Sequence, residues 1–358
     1  LITPSLDEMV KVAKELKSEK SNIPLLIGGA TTSKVHTATK IAPEYEKTIY
    51  IRNASLAVSE VSQILADESS FEKINQSYEK IRSKRKPQKN LNYTLEQARK
   101  NGYNLTTPAF QPYSLGLFRG TLSPNKIIDY RDWGPFAMTW GLKPKQLNEP
   151  VGKSLLEDAN KMIEQMLSKT KIEYSFSIDQ CEKAGEDVNV FRGEDTETFN
   201  FVRQPQKKTN TPNFCLSDFL HKKDWIGTFA IWVTGIDEKA EYHRMQNDDY
   251  GSIMAQALGD RFAEATAEWL HEQVRIKHWG YSPNEKMSNL DLIRDRYKGI
   301  RPAPGYPACP DHTQKIKILN WVSVNKDVKL TEGLTMLPKS AICGWYFANP
   351  ESKYFGVG

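Results

Sequence analysis

Apolar positions in the first seventy residues alternate between two rhythms. Leu6, Met9, Val10, Val12, Ala13 and Leu16 recur at helical spacing behind Thr3 or Ser5, either of which can cap a helix beginning near Pro4. Ile23 to Ile27 is an apolar run of strand length, stopped by Gly28-Gly29-Ala30-Thr31-Thr32-Ser33, and a second helix is predicted over 33–41. Thr48 to Ile51 reads as another strand, followed by Asn53-Ala54-Ser55 and a helix to about Asp67. Helix, strand, helix, strand, helix implies parallel strands with right-handed crossovers, the doubly wound arrangement, whose ligands sit beyond the carboxyl ends of the strands. The loops 28–33 and 53–55 occupy that place. A Gly-Gly pair admits close approach to the backbone, but locally it serves as well for a tight turn.

The rhythm then changes. From Phe71 to about Gly102 Lys, Arg, Glu and Gln dominate, with Ser83-Lys84-Arg85-Lys86-Pro87 at the centre, which reads as a solvated helix passing into a linker. Further on, Ile127 to Tyr130 runs into Arg131-Asp132-Trp133-Gly134-Pro135-Phe136, setting Asp132 among aromatic and apolar residues. A helical stretch over 154–167 precedes Ile172, Tyr174, Phe176 and Ile178, which alternate with polar residues as a strand does. Val188 to Arg192 and Thr198 to Arg203 flank Gly193-Glu194-Asp195 as a hairpin, and Asp224 to Gly235 is apolar enough for a central strand. Strands following one another without helices imply an antiparallel sheet, so this part is α+β.

One long helix is predicted over 248–278, opened by Asp248-Asp249, where the helix dipole favours negative charge. Ile253, Ala257, Phe262, Ala265, Trp269 and Val274 form its buried stripe. Glu264 flanks that stripe, and a carboxylate there needs a partner. Asp260, Arg261, Glu268 and Glu272 read as a solvated face. His271 and His278 lie seven residues apart and read as neutral surface histidines rather than a metal pair. A shorter helix over 288–297 stops at Lys298-Gly299, and Ile316 to Val322 and Ser340 to Phe347 read as strands.

Between them lies Arg301-Pro-Ala-Pro-Gly-Tyr-Pro-Ala-Cys-Pro310, whose four prolines hold it out of the α region. As a stiff rail it would present Arg301, Tyr306 and a row of free carbonyls to a rigid polar ligand with little entropy left to lose; it reads equally well as a proline-rich connector. An arginine on such a rail suits a carboxylate, Asp132 and Glu264 suit an ammonium or sulfonium, and Tyr354 suits a heterocycle, together a site for a zwitterionic ring-bearing ligand.

Composition narrows the classes. The 358 residues suit two domains, one of them incomplete, and 39% hydrophobic with 26% charged residues is globular. The net charge of +5 is mild, and the basic cluster 80–89 has no interleaved aromatics, so nucleic-acid binding is unsupported. No apolar run is long enough to span a bilayer. The four cysteines, Cys181, Cys215, Cys309 and Cys343, are far apart, which argues against a zinc site or disulfide framework and for a reducing, cytoplasmic location. Cys309 with His312 is too thin a pairing for a nucleophile and base. The opening on Leu1 rather than methionine is expected of a fragment of a longer protein.

At the proline segment the chain resembles a known family. Tyr297-Lys298-Gly299-Ile300 followed by 301–313 is similar to the signature of the activation domain of cobalamin-dependent methionine synthase. Asp260-Arg261-Phe262-Ala263-Glu264-Ala265 and Gly344-Trp345-Tyr346-Phe347 match too, while 1–16 and 24–34 resemble that enzyme's cobalamin-binding domain; the region 148–239 is the least similar. The resemblance implies an α/β doubly wound fragment over 1–70, Rossmann-like and incomplete, a charged helix and linker over 71–104, and over 105–358 an α+β activation domain, C-shaped, with a bent antiparallel sheet and long helices. It implies that S-adenosylmethionine is bound as methyl donor for reductive remethylation of oxidised cob(II)alamin, with electrons from flavodoxin or an equivalent reductase. The whole enzyme is a methyltransferase of methionine biosynthesis, transferring methyl from methyltetrahydrofolate to homocysteine. Carried over residue by residue, Arg301 would bind the ligand's carboxylate, with Ala303 and Tyr306 beside it, Asp132 and Glu264 at its amino end, and Tyr354 and Phe355 at its far side. Thr3, Ser5, Gly28, Gly29, Ala30 and Ala54 would line the cobalamin tail pocket.

The family's Asp-x-His-x-x-Gly cobalt-ligating motif and its homocysteine and folate modules, with the homocysteine module's zinc, are absent from this chain, so the fragment is expected to bind cobalamin weakly or not at all and not to run the full reaction alone. The partners implied are the reductase and the cobalamin and substrate modules of the same enzyme, with neither nucleic acid nor membrane. Phe355 stands where the family commonly has Tyr. The competing readings are a non-catalytic docking module for a separate cobalamin protein or flavodoxin, and an unrelated doubly wound nucleotide-binding enzyme.

Overall fold

A computed structural model describes residues 3–28, 32–51, 61–62, 69–84, 92–208 and 210–357. The chain divides into two compact units, Leu1–Leu91 and Asn92–Gly358.

In the first unit, helix α1 (Thr3–Ser18) is followed by β1 (Leu25–Ile27), a short helix α2 (Lys34–His36) that continues as a π-turn over Thr37–Ile41, and β2 (Thr48–Tyr50). Ser33 caps α2, its hydroxyl accepting from the His36 amide. β1 and β2 pair in parallel, as the alternating pattern requires, and Ala13, Ile27, Ile41 and Tyr45 pack together beside them. The charged helix α3 (Ser69–Lys84) buries Tyr78, whose hydroxyl accepts from the Tyr50 amide. The helix expected after Asn53 falls largely outside the described residues.

The second unit is built on a six-stranded sheet. After helix α4 (Leu95–Lys100) come β3 (Gly116–Leu122), α5 (Trp133–Thr139), α6 (Pro150–Met166), β4 (Lys171–Ala184), β5 (Asp187–Arg192), β6 (Asp195–Asn200) and β7 (Lys223–Thr234). Helices α7 (Ile236–Met245), α8 (Asp249–Gln273), α9 (Asn289–Ile293) and α10 (Gln314–Trp321) follow, with a two-stranded ribbon β8 (Lys329–Leu330) and β9 (Met336–Leu337) before β10 (Ala341–Tyr346). The sheet order is β10-β7-β4-β5-β6, and β3 also pairs with β4. β4 is long enough to share one edge between two neighbours: Ile172 to Ile178 face β3, and Gln180 to Ala184 face β5.

β7 shows why its sequence is nearly continuous in apolar residues. It is paired on both edges and covered on both faces. Phe229 and Ile231 pack under α8 with Ala267, Leu270 and Val274, whereas Ala230 and Trp232 point the other way, towards Ile318 and Leu319 of α10.

The antiparallel sheet is present but is not strongly curled, so the bent sheet is not found. β4 and β7 run through twelve consecutive pairs without an inserted residue, and bulges are the usual device for bending a strand. The strand predicted over 316–322 is helix α10, because Gln314, Lys315, Ile318, Leu319 and Val322 are the buried positions, a helical rather than a two-residue period. The helix predicted over 288–297 covers only Asn289–Ile293. The second arm of the hairpin is Asp195–Asn200, with Gly193 at φ 61 turning the chain.

The long helix forms as predicted and is capped by Asp248, whose carboxylate accepts from the Gly251 amide. Its last turn widens into a π-helical turn, Val274–His278. Ile253, expected in its buried stripe, is 44% exposed.

An ionic cluster ties strand ends together away from the sheet's centre. Arg203 bonds both oxygens of Asp218 and also reaches Glu186, which Arg99 approaches from outside. Burial pushes the Glu186 carboxyl up, but the hydrogen bonds from Arg99 and Arg203 outweigh it and hold the pKa at about 2. Since the folded value is depressed, this stabilisation is complete above about pH 5 and is lost as pH falls towards 2. Glu186→Gln is therefore expected to lower the unfolding free energy by about 1–2 kcal/mol at pH 7, after discounting for solvent screening. In denaturant titrations from pH 7 to 2, the gap between variant and parent should shrink steadily.

Candidate functional site

The proline segment does not run as a straight rail. Ile300 to Pro302 lies extended beside β10: the Ile300 and Phe347 amides each donate to the other residue's carbonyl, and the Trp345 amide donates to Pro302. The chain then turns at Pro304-Gly305, with Gly305 at φ +90, and again before Cys309, where Tyr306 and Cys309 face each other. The carbonyls expected to be free are mostly engaged: those of Pro302, Ala303, Tyr306, Pro307 and Cys309 all accept backbone hydrogen bonds. What the segment offers a ligand is therefore shape and side chains.

Gly344 in β10 makes this close packing possible. A Cβ there would stand 2.4 Å from the Pro302 carbonyl oxygen. Gly344→Val is expected to cost about 1–3 kcal/mol by overpacking and to push the segment off the sheet edge, read out by chemical denaturation.

Against the segment lies a cavity of about 530 Å³, lined by Glu264, Asp295, Arg301, Ala303, Tyr306, Tyr354 and Phe355, among others. Six of the seven residues expected at a ligand site in this unit thus share one cavity. The seventh, Asp132, lines an adjoining chamber of about 250 Å³, whose wall also includes Glu264, Asp295 and Arg301. Asp132 also caps α5, its Oδ1 accepting from the Gly134 amide at 2.8 Å. Phe355 packs its ring against Phe214, tilted, and against Phe219, edge-on, so the position is anchored by aromatic contacts.

Besides Tyr354, Arg301 is held by Glu268 and Tyr297, two residues without an expected role at the site. Its Nη2 lies 2.7 Å from Glu268 Oε2. Its Nη1 donates to the Tyr297 hydroxyl at 2.7 Å, and that hydroxyl donates in turn to Asp295 Oδ1 at 2.7 Å. The backbone amide of Arg301 donates to the Tyr354 hydroxyl at 3.1 Å. Nε makes no hydrogen bond among the described residues. The guanidinium is thus fixed in orientation while keeping donor capacity for a further acceptor.

Glu268, read from the sequence as solvated, is 7% exposed. Burial raises its pKa, and the Arg301 guanidinium beside it opposes that shift. His271, read as a surface residue, is fully buried. It stacks on Tyr346 with ring centres 5.1 Å apart and meets the Tyr297 ring edge-on. Burial, Arg275 and Arg301 hold it neutral. Arg301 Nη1 is a donor, so Nδ1, 3.5 Å away, is the acceptor, and the proton sits on Nε2, facing the Tyr281 hydroxyl at 3.1 Å. One signal could have found these groups. Glu264, Glu268, His271 and Arg275 recur at steps of four, three and four, a polar stripe along a helix that is otherwise mostly buried.

The Cys309 thiol is buried, and burial with the nearby Asp311 carboxylate pushes its pKa up to about 12, which leaves no thiolate for nucleophilic chemistry. Among the described residues no group of three or more His, Cys, Asp or Glu could hold a metal ion, and no helix is long and apolar enough to cross a membrane. In the first unit, Thr3 and Ser5 fall in the opening turns of α1 and Gly28 follows β1, with its Cβ position 3.2 Å from the Ile51 carbonyl oxygen. Gly29, Ala30 and Ala54 lie outside the described residues.

Two comparisons bear on this geometry. A crystal structure of the MetH reactivation domain bound to AdoHcy superposes with a TM-score of 0.72 at 40% sequence identity, covering 75% of this chain and 90% of that one. Residues 124–358, which contain the whole cavity wall, match the family described as vitamin B12 dependent methionine synthase, activation domain. The chain therefore belongs to the family of vitamin B12 dependent methionine synthase activation domains.

Proposed function

We propose that the cavity beside 301–308 binds S-adenosylmethionine and presents it as the methyl donor that restores an inactivated cobalamin methyltransferase. The observation that carries the reading is the convergence of Arg301, Glu264, Tyr306 and Tyr354 on one cavity of about 530 Å³, a volume suited to a nucleoside-sized ligand. Arg301 takes the ligand's carboxylate on the edge not used by Glu268, a charge-assisted bond from a donor already fixed in place. Glu264 and, from the adjoining chamber, Asp132 meet the ammonium end. The half-exposed rings of Tyr306 and Tyr354 lie against the rest of the ligand. A domain that served docking alone would have no need of a preformed cavity with a held guanidinium, and the related reactivation domain is bound to AdoHcy.

The same reading extends to cobalamin and to partners. Gly28 follows the carboxyl end of β1, where doubly wound sheets bind ligands, and the segments after both strands would hold the nucleotide tail. When bound, cobalamin supplies the metal centre that carries the methyl group; this chain would contribute residues to the tail pocket and the methyl donor's site. A flavodoxin-like reductase and the remaining modules of the methyltransferase are the partners this role requires, in the cytoplasm.

Calorimetric titration of the chain with S-adenosylmethionine tests the proposal. Saturable binding at one site is expected, while absence of binding would sink it.

A further inference from the structure

The smaller chamber contains a group that the reading above leaves unused. Glu268 lies one helical turn beyond Glu264 on α8 and forms part of the chamber wall. One of its oxygens, Oε2, holds Arg301. The other, Oε1, is buried and has no hydrogen-bond partner among the described residues, although the residue as a whole is 93% buried, being 7% exposed. A buried carboxylate oxygen without a donor is costly, and native structures keep few of them without a reason. The chamber whose wall Glu268 shares is lined also by Asp132, Glu264 and Asp295, against the guanidinium groups of Arg261 and Arg301. Carboxylates outnumber guanidiniums by four to two, so the wall favours a cation. The described residues offer no cluster tight enough for a metal ion. An ammonium, with three N–H donors reaching separate acceptors, matches the arrangement better.

We propose that Glu268 is a specificity-determining residue that reads both ends of the ligand's amino-acid group: Oε2 orients Arg301 for the carboxylate, and Oε1 accepts a hydrogen bond from the α-ammonium. The inference rests on the S-adenosyl reading of the cavity and adds to it a third acidic group that distinguishes an α-amino acid from a bare thioether nucleoside.

The test is a set of titrations of the full chain and of Glu268→Gln with S-adenosylhomocysteine, with its desamino analogue and with its descarboxy analogue. The neutral thioether removes the sulfonium from consideration, so the ammonium is the ligand's one cation. Glutamine preserves size and keeps an acceptor for Arg301, but turns an NH₂ donor towards the ammonium. The variant is expected to lose at least tenfold in affinity for S-adenosylhomocysteine and for the descarboxy analogue, and less than threefold for the desamino analogue. An equal loss for all three ligands, or a loss confined to those with a carboxylate, would show that Glu268 acts through Arg301 or through the fold, and would overturn the proposal. No loss for any ligand would overturn it too. If the parent chain itself fails to bind S-adenosylhomocysteine, the S-adenosyl reading falls, and this inference with it. Should Glu268→Gln not fold, Glu268→Asp replaces it, and the ratio of affinities for S-adenosylhomocysteine over the desamino analogue is the readout. That ratio should fall at least fivefold as the carboxylate retracts by one methylene, and an unchanged ratio contradicts the proposal.

Discussion

Arg301→Ala is expected to destabilise the second unit by about 3–5 kcal/mol and to abolish S-adenosylmethionine binding, two effects with separate causes. The stability loss arises because Glu268, 7% exposed, would be left as a buried carboxylate without its cation. The binding loss arises because the ligand's carboxylate would lose its charge-assisted donor. The two separate in a second variant. Arg301→Met combined with Glu268→Gln removes both charges and should recover most of the stability, as buried pairs replaced by neutral residues commonly do, while binding stays lost. The pH dependence has a definite sign. Removing the arginine raises the folded-state pKa of Glu268 further, so stability is retained at low pH and lost as pH rises through that value. The deficit of Arg301→Ala relative to the parent should therefore be smallest in acid, measured by urea denaturation at several pH values.

Glu285→Ala is expected to cost a similar 3–5 kcal/mol, because its partner Arg275 has a fully buried side chain. Arg275 donates through Nε and Nη2 to the Glu285 carboxylate, with a shortest distance of 2.6 Å, while its Nη1 has no partner among the described residues. Losing the carboxylate would strand the whole cation. An exposed pair such as Lys11–Glu8 should be worth less than about 1 kcal/mol by comparison. The substitution should also weaken ligand affinity. Arg275 lies 4.3 Å from the centre of the Tyr297 ring, and Tyr297 is the hydroxyl that Arg301 Nη1 holds. Denaturation and calorimetry on the same variant would show both changes. A drop below 1 kcal/mol would mean that water enters to solvate Arg275.

How far the sequence reaches is set by whether a signal is local. β7 and α8 were legible because each buries enough of its length to impose its own period on the apolar residues. The run 316–322 was not, since Ile316 and Ile318 alternate with lysine over a window too short to separate two periods, and packing of Ile318, Leu319 and Trp321 decides for helix. β3 left little trace, because its residues are at best half-buried. The proline segment announced that it was not helical, yet its two turns and its pairing with Phe347 depend on Gly305 and on a sheet edge contributed from over forty residues away.

The site divides in the same way. Arg301, Ala303 and Tyr306 are neighbours in sequence and lie along one cavity, with Glu264, Tyr354 and Phe355 brought in by the fold. Their residue types suggest a zwitterionic ligand, but only the resemblance places the distant ones, Glu264, Tyr354 and Phe355, beside the proline segment, because nothing in sequence spacing does. Glu268 was misread because its partner is thirty-three residues downstream, and a helix reads as solvated when the arginine that neutralises it comes from another element. His271 was misread for the same reason: its stacking partner Tyr346 lies on β10.

The central claim is that the cavity beside 301–308 holds the S-adenosyl ligand by its amino-acid end. Its most direct test is a crystal structure of the chain with S-adenosylhomocysteine. The ligand's carboxylate is expected within hydrogen-bonding distance of the Arg301 guanidinium, with its ammonium facing Glu264. Density for the ligand elsewhere on the chain, or in this cavity with the amino-acid end turned away from Arg301, would contradict it.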